Sequence, residues 1–475
     1  MGCIILTTIL GVSSAWIVSR YEIPKSKYLE WMLILPLAIP SYITAYAYAG
    51  IFDYGGLLSQ VLGLVNFKVD IMNIYGLIFV LSISLFPYVY LSTRAVFLYQ
   101  SNRLIEASKL LGATELKTFF RIVIPMARPA IIGGLFLVVM EVLNDYGAAK
   151  YYGISTFTTG IFRSWFSLAE PSTAIYLSSL LLLLVFALMY LERRQRGNKS
   201  FRNKSVEKVR LPKIQVSKPR LVLLSCIVLI PISLGFIIPS IQLLIWGFLT
   251  YSDVFTASFF TIALESIGIA MMTGFITLFC ALLILYFPQW NRLTLLKKSS
   301  KIAIIGYAIP GAIIAIGVMI PTLAMDKWMI KIANELFNLN LGLLLNGTIL
   351  ILIYAYVIRF MAVAFNPLEA SQLKISKQLS ESSQLLGKGR IRTFFKVDYP
   401  LLKTSMLSAF ILVFVDIMKE LPLTLILKPY NVNTLAVKAY EYASDELILE
   451  SSIPSLCIIL SGMIPILLLN KLILK

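Results

Sequence analysis

EASKLLGATELKTFFRIVIP, residues 106–125, and ESSQLLGKGRIRTFFKVDYP, residues 381–400, are two copies of one pattern at a constant offset of 275 residues. The glutamate, the Leu-Leu-Gly triplet, Thr-Phe-Phe and the final proline occupy the same places in both copies. Upstream, Ala38-Ile39-Pro40 aligns with Ala308-Ile309-Pro310 after a small drift of the offset. A repeat of this length predicts two homologous halves within one chain.

The residues around the two copies are strongly apolar. Of 475 residues, 58% are hydrophobic and 14% charged, and the mean hydropathy is +0.83, whereas a soluble domain has about 25% charged residues. Apolar blocks long enough to cross a bilayer, which needs roughly 20 helical residues, predict an all-α polytopic membrane protein. We expect eleven spanning helices near 3–19, 30–52, 71–99, 129–147, 172–191, 221–249, 259–288, 302–321, 342–365, 405–427 and 450–470.

These spans divide into five in the first half and six in the second. Residues 1–19 also have no basic region or cleavage site typical of a signal peptide. We therefore expect that the first helix of the first half is missing, and that an upstream start codon would add it.

Composition excludes several kinds of chemistry. The chain has no histidine, which removes imidazole catalysis and His-ligated metals. Its four cysteines are far apart and each lies in an apolar block, as isolated core residues do. Gly387-Lys388 is followed by Gly389, so no nucleotide-binding loop is present. We expect a chain that is not an enzyme, binds no cofactor and holds no metal stably, so that if ATP is involved another subunit hydrolyses it.

Basic residues are concentrated in alternate connections between the spans. Residues 20–29, 100–128, 192–220, 289–301, 366–404 and 471–475 together carry +24, and the opposite set of connections carries −2. The positive-inside rule makes the first set cytoplasmic. Residues 192–220 alone have eleven basic and two acidic residues; they could bind RNA or anionic lipid, but a solvated linker between two bundles is the favoured interpretation.

Both copies of the repeated pattern have the spacing of a known motif. Glu106-Ala107-Ser108, then Gly112 and Pro125, resembles the EAA motif of binding-protein-dependent ABC importer permeases. The second copy keeps the spacing with Glu381-Ser382-Ser383, Gly387 and Pro400 but departs at the alanines. The resemblance covers almost the whole chain. It implies the fold of a type I ABC importer permease, with bundles at 1–191 and 221–475, a linker at 192–220, and cytoplasmic motif loops at 100–128 and 366–404.

The resemblance also implies what the motif loops do. Glu106 to Leu111 are good helix formers, and Gly112 can end a helix in the left-handed conformation. In the family such a short helix docks into a groove of the ATPase. The expected docking residues are Glu106, Ala107, Ser108, Gly112, Pro125, Glu381, Ser382, Ser383, Gly387 and Pro400. An amphipathic helix that merely lies on the membrane surface is the alternative.

Four acidic residues inside apolar blocks form a second candidate site. Glu141 and Asp145 are four residues apart, as are Asp416 and Glu420 at the equivalent place, and on a helix this spacing gives one face. Unpaired charges in a bilayer are costly, so we expect these carboxylates to face a transport path and contact Fe(III) transiently. The alternative is a pair of helix-end or intersubunit hydrogen-bonding sites, with Lys419 neutralising one acid. We expect Arg94 and Arg359 to reach toward lipid headgroups.

Sequences around these acids, such as Glu141 to Gly147 and Asp416 to Pro422, are similar to the ferric-iron branch of the family. The resemblance implies a permease of the bacterial inner membrane that translocates Fe(III) delivered by an extracytoplasmic binding protein. Two copies of a separate ATPase would bind ATP and Mg²⁺. A fused permease for thiamine or another small solute is the alternative within the class, and an ion-coupled secondary transporter is the alternative outside it.

Overall fold

The computed structural model describes residues 1–53, 70–98, 102–196, 213–291, 303–339 and 342–473. Every regular element in these ranges is helical. The β-type backbone pairing in them is limited to an isolated bridge between Tyr21 and Ile214. The all-α class predicted from the apolar blocks is confirmed. The chain divides into two compact units, Met1–Phe248 and Leu249–Lys475.

The described helices of the first unit alternate between long apolar spans and short connecting helices. They are Gly2–Arg20, Ser26–Met32, Leu35–Ala38, Ser41–Phe52, Ile74–Phe97, Asn102–Leu110, Glu115–Thr118, Phe119–Val123, Ile124–Asn144, Gly147–Tyr151, Phe157–Phe162, Arg163–Ser167, Pro171–Arg196, Lys218–Ile232, Ser233–Ile237 and Ile238–Val254, the last of which crosses into the second unit. Those of the second unit are Ala257–Asn291, Ile305–Ala308, Gly311–Phe337, Ile349–Gln372, Lys377–Leu385, Arg390–Thr393, Phe394–Asp398, Tyr399–Met418, Pro422–Leu427, Leu435–Ser444 and Ser452–Ile473.

Each of the eleven predicted spans has a helical counterpart. Among the described residues, nine helices are long and apolar enough to cross a membrane, and a bent pair and a shorter apolar helix account for the other two. The predicted span 30–52 is broken, because Ser26–Ala38 and Ser41–Phe52 meet at 91°. Pro40 lies at that break and Pro310 at the matching one, where the next helix starts at Gly311. The proline ring permits a helix to begin there but not to continue through.

Small residues permit the spans of the first unit to pack closely. A side chain on Gly11 would lie 2.7 Å from Cβ of Val89, and one on Gly134 would lie 2.9 Å from Cα of the same residue. Helix Ile74–Phe97 therefore packs closely against both Gly2–Arg20 and Ile124–Asn144. Close backbone approach of this kind is the usual basis of helix association in membranes.

The first helix of the second repeat packs in the first unit. The Tyr48 hydroxyl donates a hydrogen bond to the Leu234 carbonyl at 2.7 Å, and a side chain on Gly235 would lie 2.6 Å from the Ile83 carbonyl oxygen. The repeat boundary predicted at residue 221 and the boundary of the compact unit at Leu249 are consequently different. Of the predicted linker 192–220, residues 197–212 lie outside the described residues.

In the second unit, one buried carboxylate fastens the connection between two spans. Asp326, on helix Gly311–Phe337, has no exposed surface. Its two oxygens accept hydrogen bonds from the backbone N–H groups of Leu344, Leu345 and Asn346 at 2.8–3.1 Å, and from the Asn346 side-chain amide at 2.8 Å. The segment before helix Ile349–Gln372 is thereby held against the preceding span.

Candidate functional site

The first motif loop forms a short helix that ends at a glycine. Asn102–Leu110 is helical, and Gly112 has a φ of +80°, a conformation that only glycine adopts without strain. The Ala113 N–H then donates to the Ser108 carbonyl at 3.0 Å. The helix and the glycine conformation predicted from residues 106–112 are confirmed.

The second motif loop has the same geometry. Lys377–Leu385 is helical, and Gly387 has a φ of +77°. In each loop a buried serine hydroxyl binds a buried threonine hydroxyl: Ser108 to Thr118 at 2.9 Å and Ser383 to Thr393 at 3.1 Å. This hydrogen bond joins the helix before the glycine to the helical segment after it. Each loop is therefore two short helices fixed to each other across the glycine turn.

An aromatic pair under each loop connects it to the spans. The rings of Phe119 and Phe120 lie 5.2 Å apart, as do those of Phe394 and Phe395. The inner ring packs on the end of another span, with Phe119 5.3 Å from Trp16 and Phe394 4.9 Å from Tyr286. In both halves the pair begins a π-helical turn, Phe119–Val123 and Phe394–Asp398. Pro125 and Pro400 lie in the first turns of the spans that follow.

The outer surface of each loop is apolar around the glycine. The exposed fractions are 89% for Leu110, 87% for Leu111, 88% for Leu385 and 78% for Leu386. Glu106, Ala107, Glu381 and Ser382 are exposed as well, whereas Ser108 and Ser383 are buried by their threonine contacts. Large apolar side chains on a rigid support are suited to fill a groove in a partner.

One contact of the first loop is absent from our sequence expectations. Arg220, at the start of the second repeat's first helix, forms an ion pair with Glu115 of the loop and lies over the Tyr21 ring at 5.5 Å. Burial and then the Glu115 carboxylate raise the pKa of the Tyr21 hydroxyl. The offset places Arg390 opposite Glu115, and this charge reversal was the available signal that the two loops differ.

In the first half, the candidate transport-path acids have partners within their own unit. Asp145 is 8% exposed; it accepts hydrogen bonds from the Ser41 hydroxyl at 2.6 Å and from the Ala149 N–H at 3.0 Å. Glu141 accepts a hydrogen bond from the Tyr88 hydroxyl at 3.4 Å. The helix ends at Asn144, and Asp145 is its C-cap with an extended ψ. The Asp145 N–H still donates to the Glu141 carbonyl at 2.9 Å, and the expectation that the two acids share one helical face stays a prediction.

The second half has ion pairs instead. Glu420, also beyond the end of its helix at Met418, lies 3.2 Å from the Arg359 guanidinium, and both side chains are 7% exposed. Arg359 also donates to the Ile309 carbonyl at 3.2 Å. Asp416 pairs with Lys419 at 2.9 Å, as the helix-end alternative predicted.

Our expectation that Arg359 and Arg94 reach lipid headgroups is wrong, because each binds a carboxylate. Arg359 is buried against Glu420, and half-buried Arg94 pairs with Glu30.

At one equivalent position of the repeat, the first half has Ser41 and the second half has Gly311, and each residue suits the acid beside it. A side chain at Gly311 would lie 2.6 Å from the Glu420 carboxylate and 2.8 Å from the Arg359 guanidinium. At the equivalent place, Ser41 supplies the hydroxyl that binds Asp145. Within neither unit do three metal-ligating side chains of the described residues gather around one point. A role of Glu141, Asp145, Asp416 and Glu420 in transport stays a prediction.

A polytopic helical chain with two homologous halves, each carrying the same rigid exposed loop, defines a transport permease. The chain belongs to the family of binding-protein-dependent transport system inner membrane components, whose profile matches residues 7–196 and 297–475. The two matched regions correspond to the two copies of the repeat.

Relatives in this family include permeases for different ions. The Fe(3+)-transport system permease protein FbpB 2 of Haemophilus influenzae is 26% identical over 478 residues, which is 99% of this chain and 88% of that protein. The sulfate transport system permease protein CysT of Salmonella typhimurium is 29% identical over 147 residues, 31% of this chain and 53% of that protein. The CysT of Escherichia coli is 26% identical over the same length. Each of these two sulfate-permease alignments covers 31% of this chain.

Proposed function

We propose that this chain is the membrane-spanning subunit of an ATP-driven importer for Fe(III). The observation that carries the proposal is the duplicated loop. Two copies of one helix-glycine-helix geometry, each with exposed leucines and each fixed to the spans by an aromatic pair, offer two equivalent docking places. Two copies of one ATPase subunit match that duplication.

The other parts of the importer follow from the same assignment. ATP and Mg²⁺ bind on the ATPase subunits, since this chain has no nucleotide-binding loop. The motif loops and the linker 192–220 lie in the cytoplasm, and the protein lies in the bacterial inner membrane. A binding protein outside delivers the substrate to the opposite connections, such as 148–171 and 428–449. Closure of the ATPases draws the two loops together and opens the path outward.

Iron is the proposed substrate because similarity to the Fe(3+) permease extends over nearly the whole chain. Similarity to the sulfate permeases covers about a third of it. The carboxylates Glu141 and Asp416, which are less buried than their neighbours Asp145 and Glu420, are the proposed transient contacts for the cation, because hard oxygen ligands suit Fe(III).

Reversing the charge of both docking glutamates tests the assignment. In the double variant Glu106→Arg and Glu381→Arg, we expect uptake of radioactive iron by cells and recovery of the ATPase with the tagged permease to fall roughly tenfold or more, because a misplaced charge at an interface costs several kcal/mol. A second double variant, Leu111→Asp with Leu386→Asp, changes exposed side chains and should have the same effect.

Glu335→Arg is the matched control, since Glu335 is an exposed glutamate on helix Gly311–Phe337, outside both motif loops. It should leave uptake and ATPase recovery unchanged. Normal uptake by both double variants would contradict ATPase docking at these loops and favour an ion-coupled transporter. If the unaltered protein took up thiamine or sulfate instead of iron, it would still be an ATP-driven importer, but the proposed iron substrate would be wrong.

A further inference from the structure

A groove beside the second motif loop combines apolar and basic side chains. It has a volume of about 850 Å³ and is lined by Phe287, at the end of one span, and by Arg390, Ile391, Arg392, Phe395 and Lys396, at the start of another. We refer to these six residues as the basic groove. All of them belong to the second unit.

The segment that forms one wall of the groove has two distinct faces. Its inner face is engaged within the unit, since Thr393 binds Ser383 and Phe394 packs on Tyr286. Its outer face is uncovered, with Ile391 66% and Phe395 62% exposed. Arg392 and Lys396 are exposed on that same outer face. The apolar and basic side chains therefore both point away from the protein.

The groove lies where apolar spans end. Segments Ala257–Pro288 and Arg390–Met418 are each long and apolar enough to span a membrane. The last residues of the first and the first residues of the second form the groove. The connection 289–301 that follows Phe287 carries a further four positive charges and no negative one. The ends of membrane spans lie at the depth of the lipid headgroups. At that depth, basic side chains can bind lipid phosphate and apolar side chains can contact acyl chains.

The first half does not reproduce the site, although the same pattern occurs there. The offset places Glu115, Leu116, Lys117, Phe120 and Arg121 at the equivalent positions. The apolar side chains are kept, but one cation is replaced by Glu115, and that carboxylate is held by Arg220. The three-cation arrangement is therefore particular to the second half rather than a general feature of the repeated loop.

We propose that the basic groove binds an anionic phospholipid of the cytoplasmic leaflet, with the phosphate between Arg392 and Lys396 and an acyl chain over Phe287 and Phe395. A soluble anion would leave three large apolar side chains uncovered, whereas a phospholipid satisfies the charges and covers the apolar surface together. The choice of leaflet rests on the proposed function. Through Thr393, the lipid would stabilise the motif loop that begins with Glu381.

Native mass spectrometry of the purified full-length chain tests the proposal. Added phosphatidylglycerol should bind and be retained more strongly than phosphatidylcholine. In Arg392→Gln with Lys396→Gln we expect phosphatidylglycerol affinity to fall about thirtyfold, or about 2 kcal/mol at 1.4 kcal/mol per factor of ten, since each cation near an anionic surface contributes on the order of 1 kcal/mol. The matched control, Lys117→Gln with Arg121→Gln in the first half, should retain it.

Two further measurements make the test decisive. The conservative variant Arg392→Lys with Lys396→Arg should bind the lipid nearly as well as the original, which separates loss of charge from loss of folding. Excess inorganic phosphate should not displace the lipid. Displacement of the lipid by phosphate would overturn the proposal, and so would equal lipid binding by the Gln variant. If the Gln variant bound lipid normally but no longer recovered the ATPase, the groove would be a protein contact instead. Lipid binding is measured without ATPase or iron, so failure of the proposed function would leave this result interpretable.

Discussion

Replacing Arg359 with leucine is expected to destabilise the protein by about 3–5 kcal/mol, because it leaves the Glu420 carboxylate buried without its cation. Among the described residues, Glu420 would keep the hydrogen bond from the Leu423 N–H at 3.2 Å. Thermal unfolding of the purified protein in detergent measures the effect, and we expect the midpoint to fall by on the order of 10 °C.

Removing both members of the pair distinguishes an unpaired charge from a lost contact. Arg359→Leu with Glu420→Leu should recover most of the stability, since a buried ion pair exchanged for apolar side chains is often neutral or better. Asp145→Asn in the first half is the matched comparison and should cost about 1–2 kcal/mol, because its partners are a hydroxyl and one N–H rather than a cation. An unaltered midpoint for Arg359→Leu would show that the ion pair does not stabilise this half.

The second large effect is expected at Asp326. Asp326→Leu removes the acceptor of three backbone N–H groups and one side-chain amide, of which the two at Asn346 are buried and those of Leu344 and Leu345 partly buried. Each donor that is buried without a partner costs about 1–3 kcal/mol. We expect a loss of at least about 4 kcal/mol and faster proteolysis between residues 342 and 348, measured by limited digestion of the purified protein followed by mass spectrometry.

Asparagine at position 326 gives an intermediate case. Its carbonyl oxygen can still accept from Leu344 and Leu345, but its amide would face the donors of Asn346. About half of the leucine effect is therefore expected. Glu335→Gln changes an exposed side chain of the same helix and should stay within about 0.5 kcal/mol. Equal digestion of Asp326→Leu and the original protein would contradict the proposed fastening.

The helices and the motif loops could be predicted because their signals are local. Apolar blocks of the required length identify spans, and the glycine at 112, repeated at 387, indicates where each short helix ends. The break before Ser41 could also have been predicted, because Pro40 lies at it and Pro310 lies at the equivalent break of the second half. We expected one straight span there because the mean hydropathy of residues 30–52 does not report on proline geometry.

Contacts between distant residues could not be obtained from the pattern. Arg359 and Glu420 are 61 positions apart and belong to different helices, so nothing local shows that they pair. The four-residue spacing of Glu141 and Asp145 likewise gave no sign that the helix ends at Asn144, one residue before Asp145. The hydrogen bonds of Asp326 join it to residues 18–20 positions further along the chain, and no pattern marks them, although an acidic residue in an apolar span needs donors nearby.

The position of the second repeat's first helix affects the order in which the protein can fold during synthesis. Tyr48 and Ile83 contact residues 234 and 235, and the first unit ends at Phe248, beyond the midpoint of the 475-residue chain. A nascent chain released within the linker would leave the Tyr48 hydroxyl and the Ile83 carbonyl without the segment that packs on them. Completion of the first unit must therefore wait for the ribosome to begin the second repeat, so the two gene halves are linked in time as well as by the peptide chain.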